Sequence, residues 1–170
     1  MAEVVANIKY GTATALTITL ASLGTSTTFI AGRESTEVTN TVTEFIDVLL
    51  EGFITVGTTP TTAKIIRVYA WGSHTSAATT AKDVIDGLDS AETFTSEAIR
   101  DQVCKRVATL NVDSATSNRK YHFGPVSLAQ IFGEVPQYWG VFVTHDTVAA
   151  LNATGSNHEI KYTGIEYTSI

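Results

Sequence analysis

The stretch Lys64-Ile-Ile-Arg-Val-Tyr-Ala-Trp71 decides the fold class, because its side chains alternate in character. In an extended chain Ile66 and Val68 point to one face, while Arg67 and Tyr69 point to the other. A period of two residues is typical of a β-strand. We therefore predict a strand at residues 64–71.

The preceding apolar run, Thr43–Val56, is the next strand that the pattern predicts. Read with a period of two, it places these residues on one face: Ile46, Val48, Leu50, Ile54 and Val56. A helix over residues 43–51 is the competing interpretation, and the surrounding β-branched residues favour the strand. Gly52 lies inside the run, and an interior glycine in a strand often marks a bulge or a bend.

Shorter runs extend the same pattern along the chain. They predict strands at residues 14–20, 27–31, 103–112, 120–123, 138–144 and 160–168, with breaks at 32–35 and a hairpin loop at 113–118. Residues 72–82 read as an exposed loop. Ser127 is a good helix N-cap and Gly133 a good stop, so residues 127–132 predict one short helix. About eight antiparallel strands with one short helix indicate an all-β sandwich or barrel.

Composition supports an all-β chain and excludes some partners. About 28 of the 170 residues are threonine, a β-branched strand former. The net charge is -6, and the 11 basic residues are scattered. Nucleic acids and anionic membranes bind clustered Lys and Arg, so we expect neither as a ligand. No apolar run approaches the roughly 20 residues that span a bilayer.

We predict one domain, residues 1–170, because no linker or change of composition divides the chain. Its start lacks the basic and apolar parts of a secretion signal, which predicts synthesis in a cytosol-like compartment. Residues 1–10 have two interpretations. They form an extended N-terminal arm that adds a strand to a neighbour, or the first strand of the chain's own sheet.

No sequence motif indicates an enzyme, a cofactor or a metal. Nucleophile elbows, metalloprotease helices, phosphate loops and dinucleotide fingerprints are missing. The spacing of the histidines gives no shared face: His74, His122, His145 and His158. Asp83, Asp86 and Asp89 lack the spacing of a calcium loop. Cys104 is the only cysteine and reads as a buried core residue, and His145-Asp146 as a polar strand end.

Aromatic residues allow two interpretations. Tyr69, Trp71, Tyr138 and Trp139 could form a platform on which sugars stack. They could also be core or subunit-interface residues, and this second reading is favoured because large aromatic rings are mostly buried.

Several segments together resemble small structural proteins of tailed bacteriophages. They are Tyr10-Gly-Thr-Ala-Thr-Ala-Leu-Thr-Ile-Thr-Leu-Ala-Ser-Leu23, Ala31-Gly-Arg-Glu-Ser-Thr36, Gly57-Thr-Thr-Pro-Thr-Thr62, Val135-Pro-Gln-Tyr-Trp-Gly-Val-Phe-Val-Thr-His-Asp146 and Tyr162-Thr-Gly-Ile-Glu-Tyr-Thr168. The resemblance covers most of the chain and rests on packing and turn patterns.

The resemblance implies a jelly-roll-like β-sandwich of the virion, made in the host cytoplasm. The expected role is a decoration or cement protein, or a head fibre, that binds the major capsid protein or another virion protein. A homo-oligomer, either a dimer or a trimer, is implied as well. We select as partner-contact candidates Ile8, Tyr10, Trp71, His74 and Tyr138. The alternatives are a carbohydrate- or receptor-binding module of a phage tail or fibre, and a cupin-like enzyme.

Overall fold

A computed structural model describes residues 6–169, and in this range it contains eleven strands in two antiparallel sheets. The first sheet consists of β1 (Ala6–Tyr10), β2 (Thr14–Ala15), β5 (Asp47–Thr55), β9 (Lys120–Ser127) and β11 (Glu159–Ser169). The second consists of β3 (Ala31–Glu34), β4 (Val38–Thr39), β6 (Lys64–Ser73), β7 (Ala91–Thr93), β8 (Cys104–Val112) and β10 (Tyr138–His145). Two helices, α1 (Glu97–Val103) and α2 (Leu128–Phe132), and one 3-10 turn (Gly155–Asn157) complete the described part.

The strand order is that of a jelly roll. The first sheet runs β1-β11-β5-β9, and the second runs β7-β3-β10-β6-β8. β2 lies beside β11 and β4 lies beside β10. If β1 is counted with β2 and β3 with β4, the chain changes sheet at every connection except the one from β6 through β7 to β8. Two four-stranded sheets linked in this way form a jelly roll, with β7 added at one edge.

One apolar core lies between the sheets. It is built from inward-facing residues of both, among them Val48, Leu50, Ile54, Ile66, Val68, Trp139, Val141 and Val143. These side chains are fully buried. At roughly 25 cal/mol per Å² of apolar area removed from water, their burial is the main stabilisation of the sandwich. The fold class predicted from the sequence is confirmed.

A second apolar cluster covers the outer face of the second sheet. The segment between β6 and β8 folds back over this face and contributes Ala77, Ile85 and Phe94. They pack against Tyr69, Trp71 and Phe142, which point away from the main core. The central strands of the second sheet, β6 and β10, are therefore buried on both faces.

Glu37 holds the start of this segment in place, accepting hydrogen bonds from Ser76 Oγ (2.9 Å) and the backbone N–H of Ala77 (2.6 Å). Residues 72–82 are thus only in part the exposed loop that the sequence predicts.

Three local predictions are confirmed. Residues 64–71 lie in β6, with Ile66 and Val68 in the main core. Residues 43–51 are not helical, but the strand begins only at Asp47, so Ile46 precedes it and is exposed. The pairing of β5 with β9 shifts register between Leu50 and Gly52, where β9 has the extra residue. The short helix α2 begins after Ser127, whose Oγ accepts the N–H of Gln130, and ends at Gly133, whose φ is 88°.

Other local predictions are wrong or incomplete. Residues 14–20 have the predicted alternation of burial, but only Thr14–Ala15 joins a sheet, because the chain then crosses between the sheets. The strand predicted at 27–31 lies instead at Ala31–Glu34, across the predicted break. There Gly32 leaves room for the ring of Phe142, which an added Cβ would approach to 2.6 Å.

The strand and helix counts also differ from the prediction. Four of the eleven strands have only two to four residues, and α1 was not predicted. The predicted hairpin loop at 113–118 does not join paired strands, because it carries the chain from β8 in the second sheet to β9 in the first.

Candidate interaction surface

β1 and the last part of β11 form a two-stranded ribbon, which we call the terminal ribbon: Ala6–Tyr10 and residues 165–169. Their register is antiparallel and continuous, with Ile8 opposite Tyr167 and Tyr10 opposite Ile165. Residues opposite each other in such a ladder share a face. Ile8, Tyr10 and Tyr167 are therefore neighbours, and they are 60%, 64% and 63% exposed.

The ribbon is exposed because the core ends before it. Phe45 packs against Gly164, where an added Cβ would lie 2.3 Å from the ring. Beyond this contact the other face of the ribbon carries an exposed ion pair, Lys9 Nζ to Glu166 Oε1 at 2.8 Å. Every described residue of β1 is exposed. Large apolar side chains grouped on one exposed face are typical of a surface that another protein covers.

The two interpretations of the first ten residues can be compared only in part. Residues 1–5 lie outside the described residues. Residues 6–10 form the first strand of the chain's own sheet, paired with β11. This strand has no core beneath it, so pairing within the chain leaves its side chains available to a neighbour.

Four of the five predicted contact residues lie at one end of the sandwich. Asp47 links this end together, since it pairs with Ile165 of the ribbon and accepts the N–H of Ala129 in α2 at 3.0 Å. Phe132 of α2 lies beside Gly72, at the end of β6. His74 follows β6, and Tyr138 pairs with the last residue of that strand. Ile8 and Tyr10 lie in the ribbon.

His74 lines a shallow groove beside α2 at this end of the sandwich, and Tyr138 pairs with Ser73, another of its lining residues. The groove has a volume of about 240 Å³ and is lined by Gly72, Ser73, His74, Lys82, Phe132, Glu134 and Pro136. Tyr138 is half-buried, whereas His74 is exposed and 3.8 Å from Glu134. Both positions therefore remain candidates for contact with a partner.

The prediction that Trp71 contacts a partner is wrong. Trp71 has no exposed surface, because the segment between β6 and β8 covers it with Ala77, Ile85 and Phe94. It lies with Tyr69 on the outer face of the second sheet. Only the tertiary structure shows that this face is covered.

Sequence reasoning missed Tyr167 and Glu34. Tyr167 lies in a strand that the sequence predicts, on the outer face of the first sheet, and only the tertiary structure shows that no described segment covers it there. Glu34 is a fully buried carboxyl group in β3. Its Oε1 accepts the N–H of Leu88 at 2.9 Å, whereas its Oε2 accepts no hydrogen bond from the described residues. Burial, and then contact with Asp86, raises the pKa of Glu34 to about 8.

Two of the four histidines, His145 and His158, occupy structural positions. His145 is fully buried, with Nδ1 2.9 Å from Thr147 Oγ1 and Nε2 2.9 Å from the carbonyl of Leu23. Burial lowers the pKa of His145 and of His158, which favours the neutral ring in each. Neutral, hydrogen-bonded rings of this kind tie loops to the sheet.

Three acidic residues of the segment between β6 and β8 also hold loops in place. Asp83 accepts a hydrogen bond from Thr95, and Asp86 accepts one from the N–H of Leu88. Asp89 accepts hydrogen bonds from Arg33 and Thr19. Within residues 6–169 no group of three or more Cys, His, Asp and Glu side chains is arranged to hold a metal ion. Cys104 is buried as predicted, and its burial raises the pKa of the thiol to about 12.

The predicted aromatic platform for a sugar is buried at Tyr69, Trp71 and Trp139. A cleft on the outer face of the first sheet contains another aromatic ring, that of Phe53. The cleft has a volume of about 330 Å³, and Glu51, Phe53, His122, Glu159 and Lys161 are among its lining residues. Lys120 Nζ lies 4.3 Å from the centre of the Phe53 ring, and the His122 ring lies 5.5 Å away. A sugar would stack on Phe53 only after Lys120 had moved aside.

Comparisons with known protein families, with curated proteins and with solved structures found no match to this chain. None of the helices between residues 6 and 169 is long and apolar enough to cross a membrane.

Proposed function

We propose that this chain is a non-enzymatic structural protein of a virus particle. In this proposal it decorates the outer surface of a tailed-phage capsid and stabilises it, as a cement protein does. The observation that carries the proposal is the terminal ribbon, with Ile8, Tyr10 and Tyr167 grouped and exposed at one end of the sandwich. The sequence resemblance and the jelly-roll strand order, an architecture common in viral capsids, support it.

The ribbon suits a contact with another protein for a physical reason. Two tyrosines and one isoleucine offer large apolar area with little side-chain entropy to lose, and tyrosine is enriched in binding hot spots. Because α2 and the groove beside it lie at the same end, one partner surface could cover ribbon, helix and groove together.

Stabilisation of a shell requires no chemistry. A protein that binds the assembled shell and not its free subunits shifts the assembly equilibrium by mass action. A symmetric capsid offers many equivalent sites, so contacts of modest individual affinity add up over the particle.

The test uses empty heads of the phage that encodes the chain, purified without it. We expect the protein to co-sediment with the heads and to raise the temperature at which they release their contents. Replacing both tyrosines of the ribbon, Tyr10→Ser with Tyr167→Ser, should reduce binding at least about tenfold, if each ring contributes roughly 1 kcal/mol.

Val148→Ser is the matched control, because Val148 is an exposed apolar residue of a loop outside the ribbon. This variant should bind like the natural chain. A chain that does not co-sediment with the heads, or double variants that bind as well as the control, would contradict the proposal. A gene located outside any viral genome would contradict it too.

A further inference from the structure

β1 is an open edge of the first sheet that lacks the usual protection against pairing. On one side it pairs with β11, and on the other no strand of the described residues pairs with it. Its register is continuous over five residues, without proline, glycine or bulge. Its single charge, Lys9, is bound to Glu166. Exposed, regular edge strands are templates for pairing with another strand.

The other three sheet edges each carry a protective feature. β9 contains Gly124 and Pro125, and proline cannot donate a ladder hydrogen bond. β7 has only three residues. β8 carries exposed Lys105 and Arg106 beside a register irregularity. Short strands, charges, prolines and bulges are the devices by which proteins block edge pairing. The contrast singles out β1.

The open hydrogen-bonding groups of β1 belong to alternate residues. Gly11 donates its N–H to the carbonyl of Gly164 at 2.8 Å, and the register continues from this pair. In an antiparallel ladder bonded and non-bonded pairs alternate, so Asn7 and Lys9 bond to β11. The N–H and C=O groups of Ala6, Ile8 and Tyr10 therefore face the open edge.

We propose that β1 pairs antiparallel with β1 of a second copy of this chain, centred on Ile8, so that the two first sheets become one continuous sheet. In this register Ile8 lies opposite Ile8 of the second copy, and Ala6 lies opposite Tyr10. All of these residues have outward-facing groups, which gives about six backbone hydrogen bonds between the copies. The pairing is symmetric about a two-fold axis, as expected for a dimer.

The side chains agree with the same register. Asn7 lies opposite Lys9 of the second copy, so no like charges meet. Ile8, Tyr10 and Tyr167 of both copies join on one face, which doubles the exposed apolar surface. The inference goes beyond the proposed function, although both use the ribbon. The dimer uses the edge of the ribbon, and the capsid contact uses its face.

The first experiment measures the molar mass of the full chain by light scattering, without heads, from about 1 to about 500 µM. We expect the mass of a dimer at the upper end. Ile8→Pro should give a monomer at every concentration, because it removes an outward N–H and leaves the bonds to β11 in place. Its circular dichroism and melting temperature should stay near those of the natural chain. Val148→Ser should remain dimeric.

A second variant tests the register without disturbing the fold. Ile8→Cys should form a disulfide-linked dimer on oxidation, because bonded pairs have Cα atoms about 5.5 Å apart, within disulfide range. Asn7→Cys is the matched control, since Asn7 lies opposite Lys9 and points to the other face. The natural Cys104 is buried and does not compete.

Three results would overturn the inference. They are a monomeric natural chain at about 500 µM, a dimer that persists in Ile8→Pro, and cross-linking of Asn7→Cys as complete as that of Ile8→Cys. The proposed function fails separately: a monomer that still binds heads contradicts only the pairing, and a dimer that ignores heads contradicts only the proposed function.

Discussion

The indole of Trp71 in β6 lies directly against Gly140 in β10, so closely that a Cβ at position 140 would come within 2.7 Å of Cε2 of the ring. The two residues are opposite each other in the central pair of strands of the second sheet. The missing side chain of Gly140 is what allows the largest side chain of the outer cluster to lie flush with the sheet, beneath the segment that covers it.

Gly140→Ala should therefore destabilise the protein. The methyl group would push Trp71 toward Phe94 and Ile85, and overpacking of this kind costs roughly 1–3 kcal/mol. The free energy of unfolding, measured by urea denaturation, checks the value. Gly155→Ala is the control, because a Cβ there meets no atom within 4 Å. Equal stability of the two variants would show that the contact is not tight.

Glu34 should make the stability fall with rising pH. Burial and contact with Asp86 raise the pKa of Glu34 to about 8, whereas an unfolded glutamate has about 4.3. Between these values the folded chain holds a proton that the unfolded chain has lost, so the free energy of unfolding decreases as pH rises and levels off above the folded pKa. Between about pH 7 and pH 9 the loss should be roughly 1 kcal/mol.

Glu34→Gln isolates this effect. The amide keeps an acceptor for Leu88 but does not titrate. Between about pH 7 and pH 9 the free energy of unfolding of this variant should therefore fall by roughly 1 kcal/mol less than that of the natural chain. Other groups, including Cys104 and the buried histidines, contribute equally in both proteins and cancel in the difference. Identical pH profiles would mean that Glu34 is ionised in the folded protein throughout this range.

Asp47 should be a major anchor of the α2 end. Its Oδ1 accepts hydrogen bonds from Val48 N (2.7 Å), Ser127 Oγ (2.9 Å) and Ala129 N (3.0 Å). Asp47→Ala leaves these donors without their acceptor and should lower the free energy of unfolding by about 2 kcal/mol. Asp47→Asn, which keeps an acceptor oxygen, should lose less.

The control for Asp47 is Asp113→Ala, which removes an exposed ion pair with Arg119 and a single hydrogen bond, from Tyr121 Oη at 3.2 Å. Exposed pairs contribute less than about 1 kcal/mol. Denaturation curves of the three variants give the comparison, and a larger loss in Asp113→Ala than in Asp47→Ala would contradict this account.

Cys104 should be unreactive in the folded protein. The thiolate is the reacting form, and burial raises the pKa of the thiol to about 12. At about pH 8, a disulfide reagent such as Ellman's should label the native chain at least about a hundredfold more slowly than the unfolded chain. Ser156→Cys adds an exposed thiol as an internal standard and should react at once. Fast labelling of both thiols would place Cys104 at the surface.

The sequence by itself determined the strands that have regular, local patterns. Alternation identified β6 and, from Val48 to Ile54, the inward face of β5. Gly52 coincides with a register shift whose extra residue lies in the neighbouring strand β9, and the capping pair Ser127 and Gly133 bounded α2. These features depend only on residues that are close in the chain. Their side-chain directions and backbone conformations can be predicted from the neighbouring residues alone.

Only the tertiary structure decided which surfaces are covered. Trp71 and Tyr10 both lie on outward faces of strands, yet one is buried and the other is exposed. The difference arises because the segment between β6 and β8 folds over Trp71, whereas no described segment folds over the outer face of the first sheet at Tyr10. Pairing across the chain likewise placed β8 and β9 in different sheets and buried Glu34. Contacts between distant residues leave no periodic signal in the sequence, because packing and not the local backbone selects them.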